Sequence, residues 1–239
     1  MKLCTKTGIC GATLAAAMGL TASNAQADWT GKGEAGLVIA SGNTETKTVS
    51  AKLGLVDTFD PWKFAYDLSA IKASTSGLET IERYTAGEQT NYKIDEHSFL
   101  FGALDYKDDK FSGFLYQADA MAGYGYQFYD TKKIKLSVQA GAGYRKSKDD
   151  LGHDSQGKAV GTAGMNYENA ITDTTKVLDK FTVVSGSDNT QMHNFLGLEV
   201  KMSTKLALSV GLDVQRNSHP PVPKKPTDEL TTVAIVYAF

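Results

Sequence analysis

Residues 113–128 read GFLYQADAMAGYGYQF, and the spacing of their side chains decides the fold. Phe114, Tyr116, Ala118, Ala120, Ala122, Tyr124, Tyr126 and Phe128 share one parity, while Leu115, Gln117, Asp119, Met121, Gly123, Gly125 and Gln127 share the other. An extended chain points successive side chains to opposite faces, so this run reads as one long strand with an apolar face and a polar or bare one. Aromatic rings stand at both ends of the apolar face, with alanines between them.

The pattern recurs along the chain. Ile134, Leu136, Val138, Ala140, Ala142 and Tyr144 alternate with Lys135, Ser137, Gln139, Gly141, Gly143 and Arg145. Leu206, Leu208, Val210, Leu212 and Val214 alternate with Lys205, Ala207, Ser209, Gly211, Asp213 and Gln215. Segments of this kind, bounded by turn residues, predict about twelve strands of membrane-crossing length. Residues 78–93 are the least regular, because Glu82 and Glu88 share a parity with Tyr84, Ala86 and Tyr92; a bulge or a switched face is expected there.

The connections divide into tight polar turns (FDPW, KIDEH, YDTKK, ITDTT, MSTK) and, alternating with them, segments expected to be larger loops (ASGNTET, STSGLET, DYKDDKFSG, SKDDLGHDSQGK, SGSDNTQ, RNSHPPVPKKPTDE). Short turns at one end and larger loops at the other characterise outer-membrane barrels. Pro61 falls in a tight turn and Pro220, Pro221, Pro223 and Pro226 in the last loop, so no predicted strand loses a ladder N–H.

Alternation alone also suits a soluble periplasmic barrel around an apolar ligand. The order along residues 114–128 favours lipid outside, since aromatic residues prefer the two membrane interfaces and small ones the middle. The opposite face then lines a wet or ion-paired lumen, with Arg83, Asp119, Gln139, Arg145 and Asp213 as candidate lining residues. The expectation is an all-β, closed, up-and-down antiparallel transmembrane barrel over residues 28–239. Closure removes every strand edge, as hydrocarbon demands. The chain ends TTVAIVYAF, placing Val233, Ile235, Tyr237 and Phe239 on one face of a last strand; this terminal pattern is read as the signal taken up by the barrel-assembly machinery.

The amino terminus supports export. Lys2 and Lys6 precede an apolar run from Ile9 to Leu20 and the small-x-small sequence Ala25-Gln26-Ala27, so residues 1–27 are expected to be a cleaved secretory signal. Cys4 and Cys10, the chain's two cysteines, lie inside it, leaving no disulfide to stabilise the mature protein. Two of the 25 Lys and Arg residues but none of the 27 acids lie there too, so the mature chain is acidic and nucleic acid is not an expected partner.

Three stretches, SGNTETKTVSAKLGL (41–55), ERYTAGEQTNYKID (82–95) and FLFGALDYKDDKFSGFLYQADAMAGYGYQF (99–128), resemble the YdiY-like salt-induced outer-membrane proteins, a family catalogued as a domain of unknown function. The resemblance implies a Gram-negative outer-membrane barrel and a link to osmotic or ionic stress. It supplies no catalytic residues.

Catalysis is not expected, and neither a metal nor a cofactor is called for. An outer-membrane lipid hydrolase would need a serine, a histidine and an orienting group together; of His97, His153, His193 and His219, only His193 enters a strand, and all four are read as loop or rim residues. The carboxylates Asp105, Asp108 and Asp109, and Asp149, Asp150 and Asp154 beside His153, lack calcium-loop spacing and are read as solvated charge. The expected partners are outer-membrane lipid, lipopolysaccharide and the assembly machinery. The barrel is expected to be a monomer acting as a passive channel or a structural element.

Overall fold

The computed structural model describes residues 29–40, 46–110, 112, 114–149, 157–187, 189–220 and 225–239. The expected secretory signal lies outside them. Twelve strands run in chain order: β1 (Thr30–Ala40), β2 (Thr46–Phe59), β3 (Trp62–Thr75), β4 (Leu78–Lys93), β5 (Ser98–Asp109), β6 (Phe114–Asp130), β7 (Ile134–Asp149), β8 (Lys158–Ala170), β9 (Thr175–Gly186), β10 (Thr190–Lys201), β11 (Leu206–Asn217) and β12 (Thr227–Ala238). Each pairs antiparallel with its sequence neighbours, and β12 returns to β1, giving a closed up-and-down barrel. Among the described residues every strand therefore has a paired neighbour on both sides, which removes the open sheet edges that template association.

Eleven of the twelve seams contain between eleven and fifteen register pairs. The β1–β12 seam is shorter, with five, from Lys32↔Ala238 to Gly36↔Ala234. Two further backbone bonds fasten its end: Gly31 N–H donates to the Phe239 carbonyl at 2.9 Å, and Phe239 N–H returns one to Gly31 at 3.0 Å.

Register pairs put side chains of matching parity on one face, and exposure identifies which face is outside. Leu37, Val49, Leu68, Leu104, Leu196, Leu208 and Ile235 all lie among the exposed large hydrophobic residues. Rings collect toward the tight-turn end, where Trp62 packs edge-on against Tyr92 with centroids 4.9 Å apart and Tyr237 stacks on Phe239 at 6.2 Å. In the same end's β4–β5 turn, Asp95 accepts backbone N–H bonds from His97 and Ser98, both 2.8 Å, which hold its carboxyl below the ordinary aspartate range.

Among the carboxylates on this outer face, Glu88 and Asp179 stand between large apolar neighbours. Glu88, between Tyr84 and Tyr92 on β4, pairs across to Tyr66 and Leu104 and accepts the Thr90 hydroxyl. Asp179, paired with Tyr167 and Leu196, accepts from Asn194 Nδ2 at 2.7 Å. A bulge does occur in β4, where the register shifts at Ala73/Ser74 and skips Thr80, but it lies too near the loop end to turn Glu88 inward.

Several expectations are corrected. STSGLET is not a large loop: β3 runs to Thr75 and β4 starts at Leu78, joined by Ser76 (φ 50°) and Gly77 (φ 79°). Two successive positive φ values make the mirror-image turn whose twist matches a hairpin. The strands also reach farther into DYKDDKFSG and SGSDNTQ than expected, β5 running to Asp109 with β6 starting at Phe114, and β9 running to Gly186 with β10 starting at Thr190. Phe114 does not join the outer row; a register shift between Phe114 and Tyr116 leaves Leu115 unpaired and puts Phe114 opposite the inward Asp109.

The interior is also less polar than expected. Phe101, Met121, Val160 and Val184 form a buried cluster, with Phe99 and Ala103 packed against it. The rings occupy space that glycines leave: Phe99 lies over Gly125, Phe101 over Gly123, and Phe195 over Gly197 and Gly211. Burying each ring stabilises the barrel by roughly 2 kcal/mol.

Candidate functional site

The lumen is crossed by polar side chains from strands far apart in the ring. Arg83 on β4 donates through Nε to Asp109 Oδ2 at 2.6 Å, and its Nη1 lies 3.9 Å from Asp213 Oδ1 on β11. Asp213 Oδ2 meets His193 Nε2 at 2.7 Å, and Gln215 Nε2 donates to Asp213 Oδ1 at 3.3 Å. Lys107 on β5 donates to Gln215 Oε1 at 2.8 Å, spanning diametrically opposite strands. Gln191 on β10 reaches Gln117 on β6 at 3.0 Å. Together these contacts form a web across the loop-facing half of the barrel.

Burial sets the energetics. Arg83 is 5% exposed and Asp109 3%, so their attraction operates well away from bulk water, and losing either partner would strand a buried charge. Lys107 adds a second cation 3.7 Å from Asp109. Next to the web, Arg145 grips Asp119 with two bonds of 2.6 Å, the bidentate geometry that a planar guanidinium favours. Below it, Gln89 and Gln139 exchange amide bonds of 3.2 and 3.3 Å between β4 and β7. A cavity of about 340 Å³ remains beside the web, lined in part by Asp67, Asp105, Asp119, Lys107, Gln117 and His193.

The five lining candidates thus occupy three arrangements: Arg83 and Asp213 in the web, Arg145 with Asp119, and Gln139 in the amide pair. Lys107, Gln117, Gln191 and Gln215 were not singled out by sequence, although their inward parity was readable. Asp105 and Asp109 are not solvated loop charges, since both sit on the inward face of β5. Asp150, His153 and Asp154, and the side chain of Asp149, lie outside the described residues. His193 faces the lumen rather than the outer surface where a lipid hydrolase would need it.

Val233, Ile235, Tyr237 and Phe239 are exposed on the outer face of β12. Tyr237 pairs with Gly33 across the closing seam, and the Phe239 ring rests against Gly31. At Gly31 a missing side chain leaves room for the Phe239 ring, whereas a Cβ at Gly33 would meet nothing within 4 Å.

A family model described as a protein of unknown function, DUF481, matches residues 33–239. The chain belongs to the DUF481 family. Its relative YdiY of Escherichia coli, itself described as uncharacterized, is 27% identical over 224 residues, which cover 91% of this chain and 86% of that protein. Among solved structures, this DUF481 barrel is similar to an outer-membrane channel of Pseudomonas putida, with TM-score 0.54 and 11% identity, covering 89% of this chain and 95% of that one. It is also similar to the NanC porin, with TM-score 0.52 and 12% identity, covering 87% and 98%. Identities this low establish a shared fold for the DUF481 chain, not a shared solute.

Proposed function

We propose that the barrel spans the outer membrane of a Gram-negative bacterium, tight turns toward the periplasm, and provides a narrow passive path for ions and small polar solutes. The web at Arg83, Asp109 and Asp213 is its constriction. The observation carrying this reading is the pairing of a polar, bridged interior with an apolar exterior: side chains that cross the lumen are hydrogen-bonding groups, compatible with water and ions, whereas the outward set is largely aliphatic and aromatic. The terminal residues Val233 to Phe239 serve assembly in this reading, and a role under osmotic or ionic stress rests on the family resemblance. Reconstitution into planar bilayers is the test; the expected result is small, ohmic conductance steps. A barrel that folds yet passes no current in any variant would be a structural element instead.

The carboxylate of Asp119 is neutralised by Arg145, so Arg145→Ala should leave negative charge on the lumen wall. The expected outcome is a shift of the reversal potential toward cation selectivity in a salt gradient, with a loss of stability because Asp119, 11% exposed, is left without its bidentate partner.

Glu88 tests the outward orientation. In a membrane, Glu88→Leu removes a polar side chain from the lipid face and should stabilise the barrel in vesicles by about 1–2 kcal/mol, read from denaturant midpoints. A soluble barrel would gain nothing from an added surface leucine.

A further inference from the structure

On the outer wall near the loop end, a buried carboxylate holds two half-exposed ammonium groups. Glu82 faces outward on β4, one outward position beyond Tyr84, and its side chain is only 9% exposed. Its Oε1 accepts Lys110 Nζ at 2.7 Å, Lys72 Nζ at 3.3 Å and the Tyr84 hydroxyl at 3.2 Å. Lys72 is the register partner of Glu82 on β3, and Lys110 is fixed by its backbone N–H bond to the Glu82 carbonyl at 3.1 Å. The bond to Glu82 also raises the Lys110 pKa above the ordinary lysine value, keeping this loop residue charged. Within the cluster two ammonium groups share one carboxylate, the next outward carboxylates being Asp108 opposite Tyr84 and Glu79 opposite Ser74, and the lysine side chains remain 53% and 55% exposed.

Position gives that charge a partner. Tyr84, Tyr106 and Tyr144 are exposed rings toward the loop end, the place for the outer-leaflet interface, so the lysines lie at headgroup level just beyond it. We propose that Lys72 and Lys110, braced by Glu82, bind a phosphate of lipid A in the outer leaflet. This site rests on the membrane-spanning reading above. A phosphate presented at the membrane surface meets both ammonium groups from the side they expose, and charge-assisted bonds to its oxygens complete the donors that Glu82 leaves free. Glu82 is a positioning residue here: without it the two cations would repel each other.

The test uses the mature barrel folded in detergent micelles and titrated with bis-phosphorylated lipid A, with bound lipid counted by native mass spectrometry. Lys72→Gln with Lys110→Gln should weaken binding about tenfold; the double Arg variant should retain it, and Lys205→Gln at the tight-turn end should have no effect. Wild type should bind fully dephosphorylated lipid A as weakly as the double Gln variant does, and inorganic phosphate at matched concentration should not displace lipid A. Unchanged affinity in a folded double Gln variant overturns the site, as does equal binding of dephosphorylated lipid or displacement by free phosphate. Heat-modifiable migration on gels reports folding; if the double variant does not fold, Lys110→Gln alone, in a loop, should still show a several-fold loss. Failure of the wild type to fold in micelles would instead remove the membrane-spanning reading, and this site with it.

Discussion

Replacing Arg83 with alanine should enlarge single-channel conductance several-fold while costing the barrel about 3–5 kcal/mol of stability. Both effects follow from one geometry. Arg83 reaches Asp109 at 2.6 Å and Asp213 at 3.9 Å, linking β4 to β11 across the lumen. Removing the guanidinium opens that bridge and takes from Asp109, 3% exposed, its partner at 2.6 Å, with Lys107 standing farther off at 3.7 Å. Conductance in planar bilayers and denaturant unfolding in vesicles check the two effects separately. An unaltered current would mean that the web is not the constriction, even if stability fell as expected.

The smallest substitution with a large expected effect is Gly143→Ala. A Cβ at Gly143 would collide with the Ala120 carbonyl oxygen and come within 2.7 Å of Met121 Cα, both backbone atoms of the paired β6. Side chains can rotate away from such contacts, but paired strands must separate. The expected cost is about 3 kcal/mol, with a marked loss of the heat-modifiable folded form. Gly102→Ala is the matched control, because its Cβ would meet nothing within 4 Å. Equal behaviour of the two variants would show that β6 and β7 can part without penalty.

The strands were legible because lipid and lumen impose different chemistry on alternate residues, and that alternation is local. Residues 206–215 show it, with a large aliphatic side chain at every even position and small or polar ones between. What crosses the lumen was not legible, since Lys107 and Gln215 come from opposite sides of the ring and nothing near either residue announces the other. Asp109 illustrates the same limit: within the charged run Asp108-Asp109-Lys110 it reads as loop charge, and only closure of the hairpin with β4 brings Arg83 to it. A bulge accounts for Phe114. One unpaired residue at Leu115 reverses the parity of everything before it, which is why Phe114 turned from the outer row to the interior. The two-residue turn at Ser76-Gly77 was obscured by polar neighbours that the strands tolerate near their ends.

The β1–β12 joint, with its five register pairs, has a further consequence. The first and last strands meet there, so the cylinder can be completed only after the entire sheet has been laid down. Fewer cross-strand bonds hold that junction than any other, and Phe239 supplies part of its fastening. Loss of Phe239 would remove both bonds that fasten the end of this joint and leave five register pairs to keep the cylinder closed, so a change at one chain end bears on the whole circumference.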